Sequence, residues 1–416
     1  MSFRKDIKKA KHAFSALISV WVRSIAKWLY LSSVQIIEFS SYRFVVVTLP
    51  HRIGHLALEV DWFLKQKALG KFPGVWPILV LPYSETANPA LLRIWGRHLR
   101  LISNPVLVRI LKPFTEVASL RVDLYEVAYA LEGAAQYSQA INSWGDRPPI
   151  FRLPKDLIEN GRAVLEKMGM PRNAWFVCVH ARDAIYSPSD EFAHNFRNSD
   201  INRCNAAVDA IIARGGWCVR IGERGTPSLS ERPGLINYPD TPFHSDWMDL
   251  FLTSQARFCL GNTSGICLIA TIAGVPCALA NMMPYGACYG MGLRDISIPK
   301  GLRRQNGEVP SLPEIFASDV ANFRFAEFYA REGWQVEENT EAQICELAME
   351  MLDRLEGAFR TEPADEVLQD AFRHLLTPQH YTHGTRSRIG TAFLRLHAAQ
   401  LLNEEVAPQA MVRPVR

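Results

Sequence analysis

The chain has 416 residues, 48% of them hydrophobic and 21% charged, which excludes a disordered or low-complexity polypeptide and leaves room for two cores. Its net charge of +4 is unevenly held: residues 1–31 carry seven basic side chains against Asp6 alone, and the rest carries 39 basic and 41 acidic ones. A body so close to neutral argues against nucleic acid as a partner.

In chain order, Phe3, Ile7, Ala10, Phe14, Leu17, Trp21, Ile25 and Trp28 recur at steps of three and four, with lysines crowding the first turns. This predicts a basic amphipathic helix over residues 1–35. It suits the interfacial plane of an anionic membrane, contacted through residues 1–31. A signal-peptide core or a helix docked on protein would share the pattern, but the apolar stretch 13–22 is too short to span a bilayer.

From residue 36 onwards, β-rich runs alternate with helical patterns. Strands are predicted at 43–49, 75–81 and 99–103, and helices at 55–67, 89–98 and from Pro105. Residues 122–144 read as a long helix or helix pair, with Glu59 and Asp61 on the solvent side of helix 55–67. The run Asp146–Ile150 reads as a linker. The second half repeats the alternation: strands at 175–179, 217–221, 235–238, 258–260 and 275–280, and helices at 156–168, 202–214, 246–254 (capped by Ser245) and 266–273. Residues 284–292 read as a mobile, glycine-rich lid, and 336–416 as a helical segment.

The fold class expected is therefore α/β, with two doubly wound Rossmann-like domains (36–147 and 148–335) facing a cleft, an N-terminal amphipathic helix and C-terminal helices.

The eight cysteines include no C-x-x-C pair and sit mostly in apolar runs such as WFVCVH and VPCALA. They read as buried thiols of a reducing compartment, and no metal-like grouping with histidine exists.

Candidate chemistry gathers at predicted strand ends. His180, Arg182 and Asp183 follow the strand 175–179, where an arginine fork suits a pyrophosphate. Arg220 precedes Gly222; in a buried strand it is either paired to a carboxylate or aimed at a phosphate. Asn262, Thr263, Ser264 and Gly265 form a small-residue turn before a helix, a ready anion site. Arg197, Asn198 and Asp200 form a polar cluster in which Asp200 either caps a helix or meets substrate. Asp246 suits the dipole of its helix or a ribose. In the first half Gly54 permits close approach of a substrate, and His55 can serve as general base on an acceptor hydroxyl or as a capping residue. No two aspartates lie two residues apart, so the D-x-D metal clamp is missing and no metal or cofactor is expected.

The segments FVCVHARD, FRNSDI, CVRIGE, HSDWMDLFL and FCLGNTSG, with RIGHLALE and RIGTAFLRLHAAQLL, resemble a bacterial glycosyltransferase family of surface-polysaccharide gene sets over about residues 43–402. The HAR triplet is similar to the H-x-R motif of the fucosyltransferase superfamily, implying phosphate or sugar contacts for His180 and Arg182. The stretch NTSGICLIATIAGVP resembles the phosphate turn of heptosyltransferases, implying donor contacts for Thr263, Ser264 and Gly265. Ile266 and Cys267 depart from that pattern, and no catalytic aspartate stands in the first loop.

Together these readings imply a GT-B-like, metal-independent glycosyltransferase, inverting in outcome. It would move a sugar from a nucleotide-sugar donor to a glycan or lipid-linked acceptor, in the cytoplasm at the inner membrane face. A non-catalytic glycan-assembly subunit and a nucleotide-sugar epimerase are the rival readings.

Overall fold

The structure, a computed structural model, describes residues 28–124, 133–185 and 191–402. The amphipathic stripe predicted over residues 3–25 lies outside them. Among the described residues, thirteen strands and their helices form a mixed α/β protein whose two larger sheets are wholly parallel. Two compact units of described residues interleave along the chain: one is residues 28–46, 72–82 and 99–123, the other the remainder.

In the first unit, strands β1 (Tyr42–Val46), β2 (Trp76–Val80), β3 (Arg100–Ile102) and β4 (Arg121–Asp123) form a parallel sheet in the order β3-β2-β1-β4. Helix Pro105–Thr115 starts where Asn104 accepts from the amides of Val106 and Leu107, with proline at the first helical position. The helices that follow β1 and β2 in the chain, Ile53–Ala68 and Pro89–Trp95, belong to the second unit.

That second unit is built on β5 (Phe176–Val179), β6 (Trp217–Arg220), β7 (Leu235–Asn237), β8 (Cys259–Gly261), β9 (Cys277–Met282), β10 (Ile296–Pro299) and, after a small antiparallel pair β11 (Gly301–Arg304) and β12 (Trp334–Glu337), β13 (Arg388–Ile389). The seven parallel strands lie in the order β13-β10-β9-β8-β5-β6-β7.

Both faces of β5 are covered, which is why FVCV is apolar without alternation. Val177 and Val179 share a core with Val208 and Ile211 of helix Asn205–Ala213 and Leu347 and Met351 of helix Glu341–Glu356. Phe176, alternating to the opposite face, stacks on Phe251 of helix Asp246–Gln255 at 6.5 Å between centroids. Each such side chain contributes about 1.5–3 kcal/mol on burial.

Several expectations change. Residues 121–123 form an edge strand, not the start of a helix, because β1 offers a parallel partner (Phe44 opposite Arg121); the helix runs Gly133–Trp144. The segment from 336 is not all helix: β12 ends inside it, and β13 joins the large sheet beside β10. Residues 284–292 are no exposed lid. The Tyr285 hydroxyl donates to the Lys300 carbonyl at 2.5 Å, and Tyr289 packs edge-on against Phe372. Ser245 occupies the N-cap position, but its hydroxyl donates to the Phe243 carbonyl and not to the helix.

Glu59 and Asp61, expected in solvent, are both buried. Asp61 pairs with Lys65 and accepts from the Tyr137 hydroxyl at 2.9 Å. All eight cysteines are free thiols, seven of them buried.

Candidate functional site

Numbered within the second unit, the first six strands from β7 across to β10 run 3-2-1-4-5-6, and the order reverses between β5 and β8. In open parallel sheets the crevice for ligands opens at the carboxyl ends of the two strands flanking such a switch. Residue 180 follows β5 and residues 262–265 follow β8, so two elements 84 residues apart arrive side by side.

They are joined directly. His180 Nε2 lies 2.8 Å from the Ser264 hydroxyl, and His180 Nδ1 lies 3.1 Å from the Ile221 carbonyl after β6. A carbonyl only accepts, so Nδ1 carries the proton and Nε2 accepts from Ser264. Burial is the main cause that lowers the His180 pKa, to about 4. The imidazole is thus neutral near pH 7.

Its folded pKa lies below the ordinary 6.5, so the unfolded chain takes up this proton first as pH falls. The stability this contributes is present above pH 6.5 and lost between about 6.5 and 4. The thermal midpoint is therefore expected to fall across that window, and His180→Gln to flatten the fall; an unchanged profile in a folded variant would contradict it.

Arg182 reaches the Asn198 amide oxygen and donates to the His194 carbonyl at 3.3 Å. Asn198 in turn donates to Glu191 at 2.7 Å. A cation absent from the sequence reading joins them: Lys300, just beyond β10, donates from Nζ to the Asn198 carbonyl. Burial lowers its pKa to about 8, still mostly charged at neutral pH. An apolar strand ending in lysine was the available signal, but the strand ISIP was not recognised.

Other candidates are committed to the protein itself. Arg220, 2% exposed, donates to Asn237, Thr226, Ser228 and Asp240, the last at 3.0 Å. Of its two expected states, the carboxylate-paired one is found. Gly222 sits beside it at φ 151°, within reach of Thr226 and the His180 ring, where a side chain would be strained.

Asn262 accepts from the Arg182 amide and donates to the Arg197 carbonyl and Ser199 hydroxyl, tying two loops together. Thr263 spends its hydroxyl on the backbone of Met283, donating at 3.1 Å and accepting at 3.0 Å. Asp200 accepts from the Asn202 amide as a cap, and Asp183 from the Ile185 amide. Arg197 lies over the Phe196 ring. Asp246 is exposed in the first turn of its helix. A water-sized cavity of about 40 Å³ has Asp183, Asp200, Arg220 and Thr226 in its wall.

Gly54 and Gly265 meet each other: a Cβ on Gly54 would lie 3.0 Å from Gly265 Cα, and one on Gly265 2.9 Å from Gly54 N. Close approach here is backbone on backbone, and it brings the start of helix Ile53–Ala68 to the turn after β8.

One residue along, His55 Nδ1 lies 2.7 Å from Glu59 Oε1, while Glu59 Oε2 accepts from the Thr48 amide at 2.8 Å. With Glu59 1% exposed, its carboxylate is anchored on both oxygens. The His55 proton is directed to Nδ1 and the basic lone pair to Nε2. Among the described residues no group of three or more His, Cys, Asp or Glu is placed to hold a metal.

No protein-family model matches the chain, and no curated protein matches it. Solved structures show slight similarity. A glycosyl transferase family 9 protein from Veillonella parvula DSM 2008 is 12% identical with a TM-score of 0.34, over 57% of this chain and 79% of that one. The iron-containing dodecameric glycosyltransferase TibC from enterotoxigenic E. coli H10407 is 11% identical with a TM-score of 0.32, over 65% and 60%. A TibC heptosyltransferase structure in complex with ADP-D-beta-D-heptose is 12% identical with a TM-score of 0.32, over 57% of each chain. The chain thus spans about three-fifths of the TibC chains. Similarity this slight fixes neither activity nor ligand.

Proposed function

We propose that the protein is a glycosyltransferase that moves a sugar from a nucleotide-sugar donor to a glycan or lipid-linked acceptor of a surface polysaccharide. The observation that carries this reading is the His180–Ser264 hydrogen bond across the strand-order reversal, with Arg182 beside it. A cationic, hydroxyl-bearing crevice at that point of a parallel sheet suits a nucleotide diphosphate, and the H-A-R and N-T-S-G segments supply the likeness to transferases.

In the proposed reaction an acceptor hydroxyl attacks the anomeric carbon of the donor sugar. Its proton passes to His55 Nε2 as the new C–O bond forms. The bond from the anomeric carbon to the diphosphate breaks, and the electron pair leaves with the phosphate oxygen. A single displacement of this kind inverts the centre.

Arg182 and Lys300 offset the charge that develops on the leaving group, and the turn at Ser264 and Gly265 adds hydroxyl and backbone donors. In this reading Arg220, Gly222, Asn262 and Thr263 support the donor site, and Arg197, Asn198, Asp183, Asp200 and Asp246 are the candidates for substrate contact. Glu59 is a positioning residue for His55. No metal takes part in this scheme. Residues 1–31 hold the enzyme to the inner membrane face, and no described helix is long and apolar enough to cross a membrane.

The test is ligand-induced thermal stabilisation with nucleoside diphosphates and nucleotide sugars, with and without a chelator. A ligand at 100 times its Kd stabilises by about 2.7 kcal/mol. One nucleotide should raise the midpoint regardless of chelator. Silence across the panel would sink the transferase reading in favour of a non-catalytic subunit, and turnover of the nucleotide sugar without an acceptor would favour an epimerase.

A further inference from the structure

Large exposed apolar side chains are concentrated in the smaller unit. Helix Pro105–Thr115 buries Val108 alone, while Val106, Leu107 and Ile110 are 66%, 48% and 58% exposed. Soluble surfaces tolerate such residues singly, not as a helical stripe. The stripe continues: Phe114, one turn beyond Ile110, packs against the Tyr30 ring at 5.0 Å, and the Tyr30 hydroxyl donates to the Pro113 carbonyl at 3.1 Å. Tyr30 belongs to helix 28–39, whose Trp28, Leu29 and Leu31 are themselves exposed.

Charge indicates the occupant. The described segments of this unit, 28–46, 72–82 and 99–123, hold five basic and three acidic side chains, net +2, and residues 1–27, which precede them in the chain, carry seven basic side chains against Asp6 alone. Arg109 and Lys112 stand exposed on the striped helix, which has no acidic residue. The basic run of residues 1–27 leads straight into Trp28.

We infer that the face formed by helix Pro105–Thr115 and the start of helix 28–39 is a membrane-contacting surface that inserts Val106, Leu107, Ile110 and Trp28 among the headgroups of anionic lipids. Aliphatic chains enter the interface, Trp sits at headgroup depth, and Arg109 and Lys112 extend to lipid phosphates. Contact through residues 1–31 thereby gains a second, folded element. The inference rests on the peripheral-membrane part of the proposed function and not on its chemistry.

The experiment is co-sedimentation of the full-length protein with phosphatidylcholine vesicles and with phosphatidylcholine–phosphatidylglycerol vesicles. The wild type is compared with the triple variant Val106→Ser, Leu107→Ser, Ile110→Ser. These side chains are exposed, so the variant should keep its circular dichroism and thermal midpoint. The wild type should prefer the anionic vesicles, and the variant should bind them at least about tenfold more weakly.

Undiminished binding by a folded variant would overturn the face while leaving attachment by residues 1–31 standing. No binding by the wild type would overturn both. If the wild type sediments as a dimer that the triple variant dissociates, the face is an interface between copies and the lipid assignment is wrong. Should the triple variant misfold, Arg109→Glu with Lys112→Glu replaces it and must bind the anionic vesicles more weakly than the wild type, while equal binding would overturn the face.

Discussion

His55→Ala is expected to lower kcat by about 10²–10⁴-fold, the usual contribution of a positioned general base, with donor and acceptor KM nearly unchanged. The expectation follows from the way the imidazole is held. Glu59 accepts from His55 Nδ1 at 2.7 Å and is itself fixed by the Thr48 amide, so the ring cannot turn without breaking a part-buried charge-assisted bond.

Glu59→Gln should cost about tenfold in kcat through a misplaced ring, since an amide carries no charge and its single oxygen cannot accept from both His55 and the Thr48 amide. Glu59→Asp should recover part of that loss, which a merely structural role would not predict. Single-turnover kinetics on variants with wild-type thermal midpoints separate the chemical step from binding. If His55→Ala turns over at the native rate, the proton goes elsewhere and the pair is a helix-start support.

The second large effect is expected at Arg182. Arg182→Ala should weaken nucleotide binding by about 10–100-fold, the value of one charge-assisted contact of about 1.5–3 kcal/mol. Arg182→Lys should retain only part of it, because the point charge cannot reproduce the fork.

Arg182 already holds the Asn198 side chain, and Lys300 holds the Asn198 carbonyl. The alanine variant therefore also loosens a loop, and its ligand-free midpoint must be recorded beside the titration. Lys300→Met tests the partner cation in the same assay and should weaken nucleoside diphosphates more than nucleosides. A folded Arg182→Ala that binds nucleotide as tightly as the wild type would remove Arg182 from the site.

The candidate site was unevenly legible in the sequence. His180 and Arg182 were legible because an apolar run ends in polar residues, and a buried parallel strand must end at the crevice. The Ser264 partner of His180 was visible as a member of an anion-suited turn, but the bond between them was not. It exists because the strand order places β8 next to β5, and periodicity along one chain carries no information about lateral order.

Glu59 was misjudged for a related reason. A glutamate one turn beyond a histidine on a helix ordinarily faces water, and only the packed neighbourhood of Thr48 and His55 makes burial of the charge tolerable. Asp61 follows the same logic with Lys65 and Tyr137.

What the sequence determined by itself was local: apolar runs as strands, and Pro105 at the start of its helix. Tertiary structure decided where short or ambiguous segments went. Arg388–Ile389 becomes a strand only because β10 presents an unpaired edge, and residues 284–292 are packed only because Tyr285 and Tyr289 find partners from distant segments. Local propensity is worth tenths of a kcal/mol per residue, whereas a sheet partner or a buried ring is worth one or more. Where the two disagreed, the long-range contact prevailed.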